Sequence, residues 1–117
     1  MYLWKWCYSI KVSYSNNRIE KVCNDVEVMD KYFSHNKDLI EAFKVLMFII
    51  ETEDRLDNFY IKDYLKGYNL EKLTNSVNYS LRIIPKKAKS KMRLIIFIIN
   101  EVGDSIEIIE ISDHYKK

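Results

Sequence analysis

The sequence contains few of the residues that break regular secondary structure, with two glycines and one proline among 117 residues. Disordered chains and linker-rich chains are typically rich in these residues, so this composition argues against both classes. The apolar fraction of 48% is enough for a hydrophobic core, and the length is that of one domain. We therefore expect a single domain over residues 1–117, with residues 1–7 as a possible N-terminal extension.

Long apolar runs are also missing. The longest, residues 45–50 and 94–99, are far shorter than the roughly 20 residues that a membrane-spanning helix needs. The N-terminal segment carries Trp4, Lys5 and Trp6, without the apolar segment and small-residue cleavage site of a secretory signal. We therefore predict a cytoplasmic protein with no membrane partner.

Cysteine is scarce as well. Cys7 and Cys23 do not have the spacing of a metal site, and Cys23 falls on the apolar face of a predicted helix. We expect both to be reduced thiols that pack as small apolar side chains.

Positive charge is concentrated in one segment, although the net charge of the chain is only +2. Residues 62–93 contain nine Lys or Arg and two acidic residues, a local charge of +7. The segments on either side are weakly acidic, with local charges of −2 over residues 1–61 and −3 over residues 94–117. A polyanionic partner would therefore be attracted to the middle segment.

The first half of the chain predicts a strand followed by two amphipathic helices. Residues 8–14 alternate between polar and apolar and predict the strand. The cluster at residues 15–17 can start a helix, which Glu20 is placed to cap. Its apolar stripe is Ile19, Val22, Cys23, Val26, Met29 and Phe33. The second helix has its stripe at Leu39, Ile40, Phe43, Leu46, Met47 and Ile50, and the short connection predicts a helical hairpin.

The second half predicts mainly strands. Residues 56–65 indicate a short third helix or an ordered loop that Gly67 ends, and residues 69–73 and 77–84 indicate strands. Residues 94–99 and 105–112 predict a hairpin around Gly103. The fold class is therefore α+β in the order β-α-α-(α)-β-β-β-β. The two helices would pack on one face of an antiparallel sheet of four to five strands.

The two ends of this hairpin carry ionisable side chains. Arg93 opens the first strand, and Asp113, His114 and Tyr115 follow the second. In an antiparallel pair, the start of one strand lies beside the end of the next. We therefore expect Arg93 and the residues 113–115 at the same end of the sheet.

Three segments carry a resemblance to a known family. They are residues 13–25 (Ser-Tyr-Ser-Asn-Asn-Arg-Ile-Glu-Lys-Val-Cys-Asn-Asp), residues 93–97 (Arg-Leu-Ile-Ile-Phe) and residues 108–115 (Ile-Ile-Glu-Ile-Ser-Asp-His-Tyr). Together with the predicted layout, they resemble the RelE/ParE toxin superfamily over roughly residues 9–115. Within it, the marks point to the HigB-like plasmid-maintenance killer proteins.

The resemblance implies the toxin of a type II toxin–antitoxin system that enters the ribosomal A site and cuts mRNA. Such enzymes use no metal or other cofactor: the ribose 2′-OH attacks the adjacent phosphate, and basic side chains stabilise the transition state. The implied partners are the ribosome, mRNA and a helix-turn-helix antitoxin resembling the HigA family. The protein would be a monomer or part of a toxin–antitoxin hetero-oligomer.

The resemblance also implies site residues. Arg93 matches the family's arginine, and Asp113, His114 and Tyr115 match its C-terminal triplet with the last two in the opposite order. Glu71 stands where the family has an upstream histidine. These five are the expected catalytic residues. The side chains expected to bind RNA are Arg82, Lys86, Lys87, Lys89 and Lys91.

Three alternatives stay open at the level of sequence. Because Glu71 replaces a histidine, the chain could be a toxin-fold binding module with weakened catalysis, or a ParE-like gyrase inhibitor that binds a protein target. A small scaffold protein with a coincidental C-terminal motif is the third interpretation.

Overall fold

A computed structural model describes residues 9–85 and 91–113 of the chain, and these residues have an α+β fold. The five strands are β1 (Lys11–Tyr14), β2 (Glu71–Lys72), β3 (Tyr79–Arg82), β4 (Arg93–Ile98) and β5 (Ser105–Ser112). The helices between β1 and β2 are α1 (Asn17–Asn24), α2 (Val26–Tyr32), α3 (Lys37–Thr52), α4 (Asn58–Ile61) and a 3₁₀ helix (Asp63–Tyr68). The predicted fold class and element order are confirmed.

The five strands form one mixed sheet in the order β1-β5-β4-β3-β2. Strands β2 to β5 pair antiparallel, as predicted. Strand β1 differs from the expectation, because it pairs parallel to β5, with Val12 opposite Ile106 and Tyr14 opposite Ile108. Parallel neighbours need a long crossover connection, and here it includes all the helices and three strands.

The hydrophobic core lies between one face of the sheet and the helices. The sheet contributes side chains that alternate along β3, β4 and β5: Leu81, Leu94, Ile96, Ile106, Ile108 and Ile111. The fully buried side chains of α3 are Phe43, Leu46 and Ile50. Each such side chain stabilises the fold by roughly 1.5–3 kcal/mol relative to an exposed one.

A β-bulge in β5 explains its irregular sequence pattern. The register with β4 shifts between Ile95 and Ile96, which leaves Ile109 without a partner residue. Glu107 and Glu110, three residues apart, can therefore both lie on the face away from the helices. The hydroxyl of Ser15 donates to the carbonyl of Ile109 at 2.9 Å, so the turn between β1 and α1 is bonded to the bulge.

The first predicted helix is wrong as one continuous element, because it is divided at Asp25. This residue has an extended backbone (φ −115°, ψ 115°), and its carboxylate accepts hydrogen bonds from the N–H groups of Glu27 and Val28. It therefore starts α2 as an N-cap. The change of direction leaves Val26 exposed, although the sequence pattern placed it in the buried stripe.

The third predicted helix is two short elements, α4 and the 3₁₀ helix. Gly67 does not end it, since this glycine lies inside the 3₁₀ helix. The residue that ends it is Asn69, with a left-handed backbone at φ 51°. Asparagine tolerates this conformation better than most residues, so it replaces the expected glycine.

Cys23 is a buried free thiol on α1, as predicted, and Cys7 lies outside the described residues. Burial, followed by the nearby Glu51 carboxylate, raises the pKa of Cys23 to about 12. The thiol therefore stays protonated at neutral pH. None of the helices in the described residues combines the length and apolar composition that crossing a bilayer requires.

The cap at Asp25 gives a direct test of the divided helix. Replacing Asp25 with Ala removes the carboxylate oxygen that accepts two hydrogen bonds at the start of α2, and it should lower the free energy of unfolding by about 1 kcal/mol. Urea denaturation measures this change. The matched control is Glu41→Ala on the exposed side of α3, where we expect a change within about 0.5 kcal/mol. Equal stability of Asp25→Ala and wild type would contradict the capping role.

Candidate functional site

The sheet face opposite the helices, here called the open face although Ser80 and Ile95 on it are buried, carries two arginines side by side. Arg82 on β3 is the direct partner of Arg93 on β4, and Arg93 is the direct partner of Ser112 on β5. Directly opposed residues in antiparallel strands point to the same face, so these three form one row. Both arginines are partly buried. Like charges opposed in this way destabilise a sheet, and a bound anion would offset that repulsion.

The next row of the open face carries a carboxylate. Glu71 on β2 is the partner of Ser80, which is the partner of Ile95. Arg82 is two residues beyond Ser80 on β3, so Glu71 and Arg82 are diagonal neighbours, and such positions are roughly 7–8 Å apart. Glu71 therefore lies on the same face as both guanidinium groups.

Buried polar atoms of Ser80 and Arg82 also lie in these rows. Ser80 is 1% exposed. Neither its Oγ nor the Nε of Arg82 has a hydrogen-bond partner within residues 9–85 and 91–113. Arg93 donates from a guanidinium nitrogen to the carbonyl of Met92 at 3.1 Å. A buried donor without an acceptor costs free energy, which a phosphate oxygen bound at Arg82 would recover.

The remaining predicted site residues divide into two groups. Asp113 directly follows Ser112 and is exposed, so it lies at the same end of the sheet as Arg93, as the hairpin predicts. Lys91, two residues before Arg93, is also exposed. The others lie outside the described residues: Lys86, Lys87, Lys89, His114 and Tyr115.

The arrangement is suited to a phosphodiester. Two adjacent guanidinium groups offer planar forks of N–H donors that match phosphate oxygens. A carboxylate such as Glu71 can accept a proton from a hydroxyl held nearby. The described residues contain no group of three or more His, Cys, Asp or Glu side chains arranged to hold a metal ion.

Ser80 and Ser112 are the members of these rows that the sequence analysis did not single out. The strand pattern could have revealed the first of them but not the second. Ser80 is two residues before Arg82, so alternation alone places them on one face. Ser112 required the register of the hairpin, which depends on the bulge in β5.

A second polar cluster surrounds Glu53, at the other end of the molecule. Its carboxylate accepts hydrogen bonds from Asn58 Nδ2 at 2.9 Å, Lys62 Nζ at 2.7 Å and the Tyr64 hydroxyl. Burial raises the pKa of Glu53, but the hydrogen bonds from Lys62, Tyr64 and Asn58 outweigh it, so the pKa is lowered overall. This cluster joins the end of α3 to α4 and is structural, since its members already satisfy one another.

The lowered pKa of Glu53 predicts a pH-dependent stability. Its contribution is fully present above the ordinary carboxyl pKa and is lost as the pH falls through the lower pKa of the folded state. Glu53→Gln should therefore be less stable than wild type at neutral pH, and this difference should shrink in acid. Thermal unfolding over a pH series measures it. The control Glu41→Gln should parallel wild type, and a constant difference for Glu53→Gln would contradict the assignment.

The paired arginines predict salt-sensitive binding of RNA. Arg82→Gln removes one phosphate contact and should reduce the slope of log K against log salt by about 0.7 for a single strand. Binding of a short single-stranded RNA, measured at several salt concentrations, gives this slope. Lys44→Gln on the helical side is the control and should leave the slope unchanged. An unchanged slope for Arg82→Gln would remove this residue from the site.

Comparisons of the chain with models of protein families, with curated protein sequences and with solved structures find no match.

Proposed function

We propose that this protein is the toxin of a type II toxin–antitoxin system and cuts mRNA on the ribosome without a metal cofactor. The observation that carries the proposal is the row formed by Arg82, Arg93 and Ser112 on the open face. Glu71 in the next row and Asp113 after Ser112 supply the carboxylates that such a site uses. The sequence resemblance to HigB-like toxins supports the same function independently.

The reaction proposed is an internal transfer of the phosphodiester. The 2′-OH gives up its proton to Glu71 and its oxygen forms a bond to the adjacent phosphorus. The bond from phosphorus to the 5′ oxygen breaks, and that oxygen takes a proton, for which His114 is the candidate acid. The products are a 2′,3′-cyclic phosphate and a 5′-hydroxyl. The extra negative charge of the transition state is stabilised by Arg82 and Arg93.

The partners follow from this chemistry. The ribosome would position mRNA in the A site, and Lys91 with Arg82 would contact the RNA backbone. A helix-turn-helix antitoxin resembling HigA would hold the toxin inactive, and both proteins would be cytoplasmic. A second candidate function is a binding module with weakened catalysis, or a gyrase inhibitor. It is favoured by Glu71, because a carboxylate beside the site repels a scissile phosphate.

Controlled expression in a bacterium tests the proposal. Wild type should arrest growth, and Arg93→Ala should abolish the arrest because it removes a donor to the transition state. Loss of one such donor typically lowers kcat by about 10²–10³. Lys44→Ala on α3 is the matched control, which should arrest growth like wild type. Equal arrest by Arg93→Ala and wild type would overturn the site assignment.

A reaction with purified, mRNA-programmed ribosomes separates the two candidate functions. Cleaved mRNA with a 2′,3′-cyclic phosphate end is expected, and Glu71→Gln should slow its formation. Intact mRNA together with growth arrest would contradict the nuclease function. Induction of the DNA damage response in the arrested cells would then favour the gyrase inhibitor.

A further inference from the structure

Beyond the paired arginines, the open face carries an aromatic ring beside a carboxylate. Phe97 on β4 is the direct partner of Glu107 on β5, and both side chains are half-buried. Directly opposed residues of antiparallel strands point to the same face, with their Cβ atoms roughly 5 Å apart. Arg93 lies four residues before Phe97 on the same strand, so alternation places it on that face as well.

The ring of Phe97 is not part of the hydrophobic core. Its neighbours in sequence lie on the helical side, since Ile96 belongs to the core and Ile98 packs against it. Phe97 is in neither group, and within residues 9–85 and 91–113 its ring does not pack against another aromatic ring. Proteins that bind single-stranded RNA use aromatic side chains on a sheet surface to stack on bases. Phe97 is placed to do the same.

The Glu107 carboxylate has acceptor oxygens that no other described residue occupies with a hydrogen bond or an ion pair. Ser13, its neighbour on β1, instead donates to the carbonyl of Ile106 at 3.3 Å. An ionised carboxylate accepts hydrogen bonds and cannot donate them. It therefore suits a ligand edge that presents two N–H donors side by side.

Guanine is the RNA base with such an edge, because its N1–H lies beside its amino group. Adenine and cytosine place an acceptor nitrogen next to their amino group, and uracil has carbonyl oxygens on both sides of its N–H. An acceptor facing a carboxylate is repelled. Among the four bases, Glu107 therefore favours guanine.

The distance between the arginines and the ring suits the base of a nucleotide whose phosphate binds at the arginines. Four residues of a strand span roughly 13 Å. The row between Arg93 and Phe97 holds shorter, buried side chains, Ser80 and Ile95, which are 1% and 5% exposed. A ribose and base can extend over this row along β4.

The charges of the open face set the orientation of the nucleotide. The guanidinium groups of Arg82 and Arg93 attract the phosphate. On the β5 side, Glu107 and Glu110 are negative and repel it. The uncharged base is the part of the nucleotide that can lie beside these carboxylates.

We propose that Phe97 and Glu107 form a base-binding subsite that prefers guanine, in the nucleotide whose phosphate binds at Arg82 and Arg93. The ring stacks on the base, and the carboxylate accepts from its N1–H and its amino group. This inference rests on the proposed function, because the RNA phosphate at the arginines is what brings a base within reach of Phe97. It adds the identity of a base next to the bond that is cut.

Binding of nucleoside 3′,5′-bisphosphates tests this subsite in the absence of ribosomes. These compounds carry a phosphate on each side of the ribose, so one phosphate can reach the arginines in either direction of the chain. Wild type should bind guanosine bisphosphate at least about fivefold more tightly than uridine bisphosphate, which is the discrimination expected from a two-point contact to one base. Calorimetric titration measures both dissociation constants.

Variants separate the two contributions. Glu107→Gln should bring the ratio of the two dissociation constants close to one, because its amide replaces one acceptor oxygen with a donor. Phe97→Leu should weaken the binding of both nucleotides by about fivefold or more through the loss of stacking, and Phe97→Tyr should bind them like wild type. Glu110→Gln is the matched control, since this exposed carboxylate lies opposite Ile95 on the same face and should leave the ratio unchanged.

Equal binding of the two nucleotides by wild type would overturn the proposal, as would a ratio that Glu107→Gln leaves unchanged. Failure of wild type to bind either nucleotide at millimolar concentration would also overturn it. Cleavage of mRNA by wild type in the ribosome reaction would in these cases leave the nuclease function standing. A guanine preference without mRNA cleavage would support the subsite and contradict the nuclease function.

Discussion

The pairing of β4 with β5 is the interaction on which the rest of the structure depends. Leu94 and Ile96 are completely buried on the helical side of β4, opposite Ile111 and Ile108. The same register places Arg93 opposite Ser112 on the other side. Because side chains alternate along a strand, the burial that fixes the core face also fixes the charged face. A shift of the β4–β5 register by one residue would bury Arg93 and expose Leu94. The packing of the core therefore also fixes the position of Arg93 on the other face.

The two ends of this pair differ in chemistry. At one end, guanidinium groups from β3 and β4 lie close to the buried hydroxyl of Ser80, which has no hydrogen-bond partner among the described residues, and an anion would be stabilised there. At the other end, the turn containing Gly103 and the start of α4 line a groove, and its described lining includes Asp57 and Glu101 but no basic side chain. The two ends of the pair therefore differ in the sign of the charges that they carry.

Much of this arrangement could be predicted from the sequence. The apolar run of β4, followed by a turn and an isoleucine-rich strand, specified the central hairpin and placed Arg93 beside Asp113. The apolar stripe from Leu39 to Ile50 predicted the position of α3 closely. The division of the first helix at Asp25 was not predicted. The helical spacing of apolar residues continues through Val26, whereas the Asp25 side chain caps a new helix at this point. The parallel pairing of β1 was also missed, since strand alternation carries no information about direction. The position of Glu71 opposite Ser80 needed the register of β2, a strand of two residues that periodicity hardly indicates.

The strand order has a consequence for behaviour at high concentration. The outermost strands, β1 and β2, have four and two residues, whereas the central β4 and β5 have six and eight. Within residues 9–85 and 91–113, the longest backbone hydrogen-bonding edges are thus paired within the sheet, and the unpaired edges of the strands are short. Short edges give neighbouring molecules little template for intermolecular strand addition. A protein with two isoleucine-rich strands can in this way keep its most amyloid-prone segments out of contact with other copies.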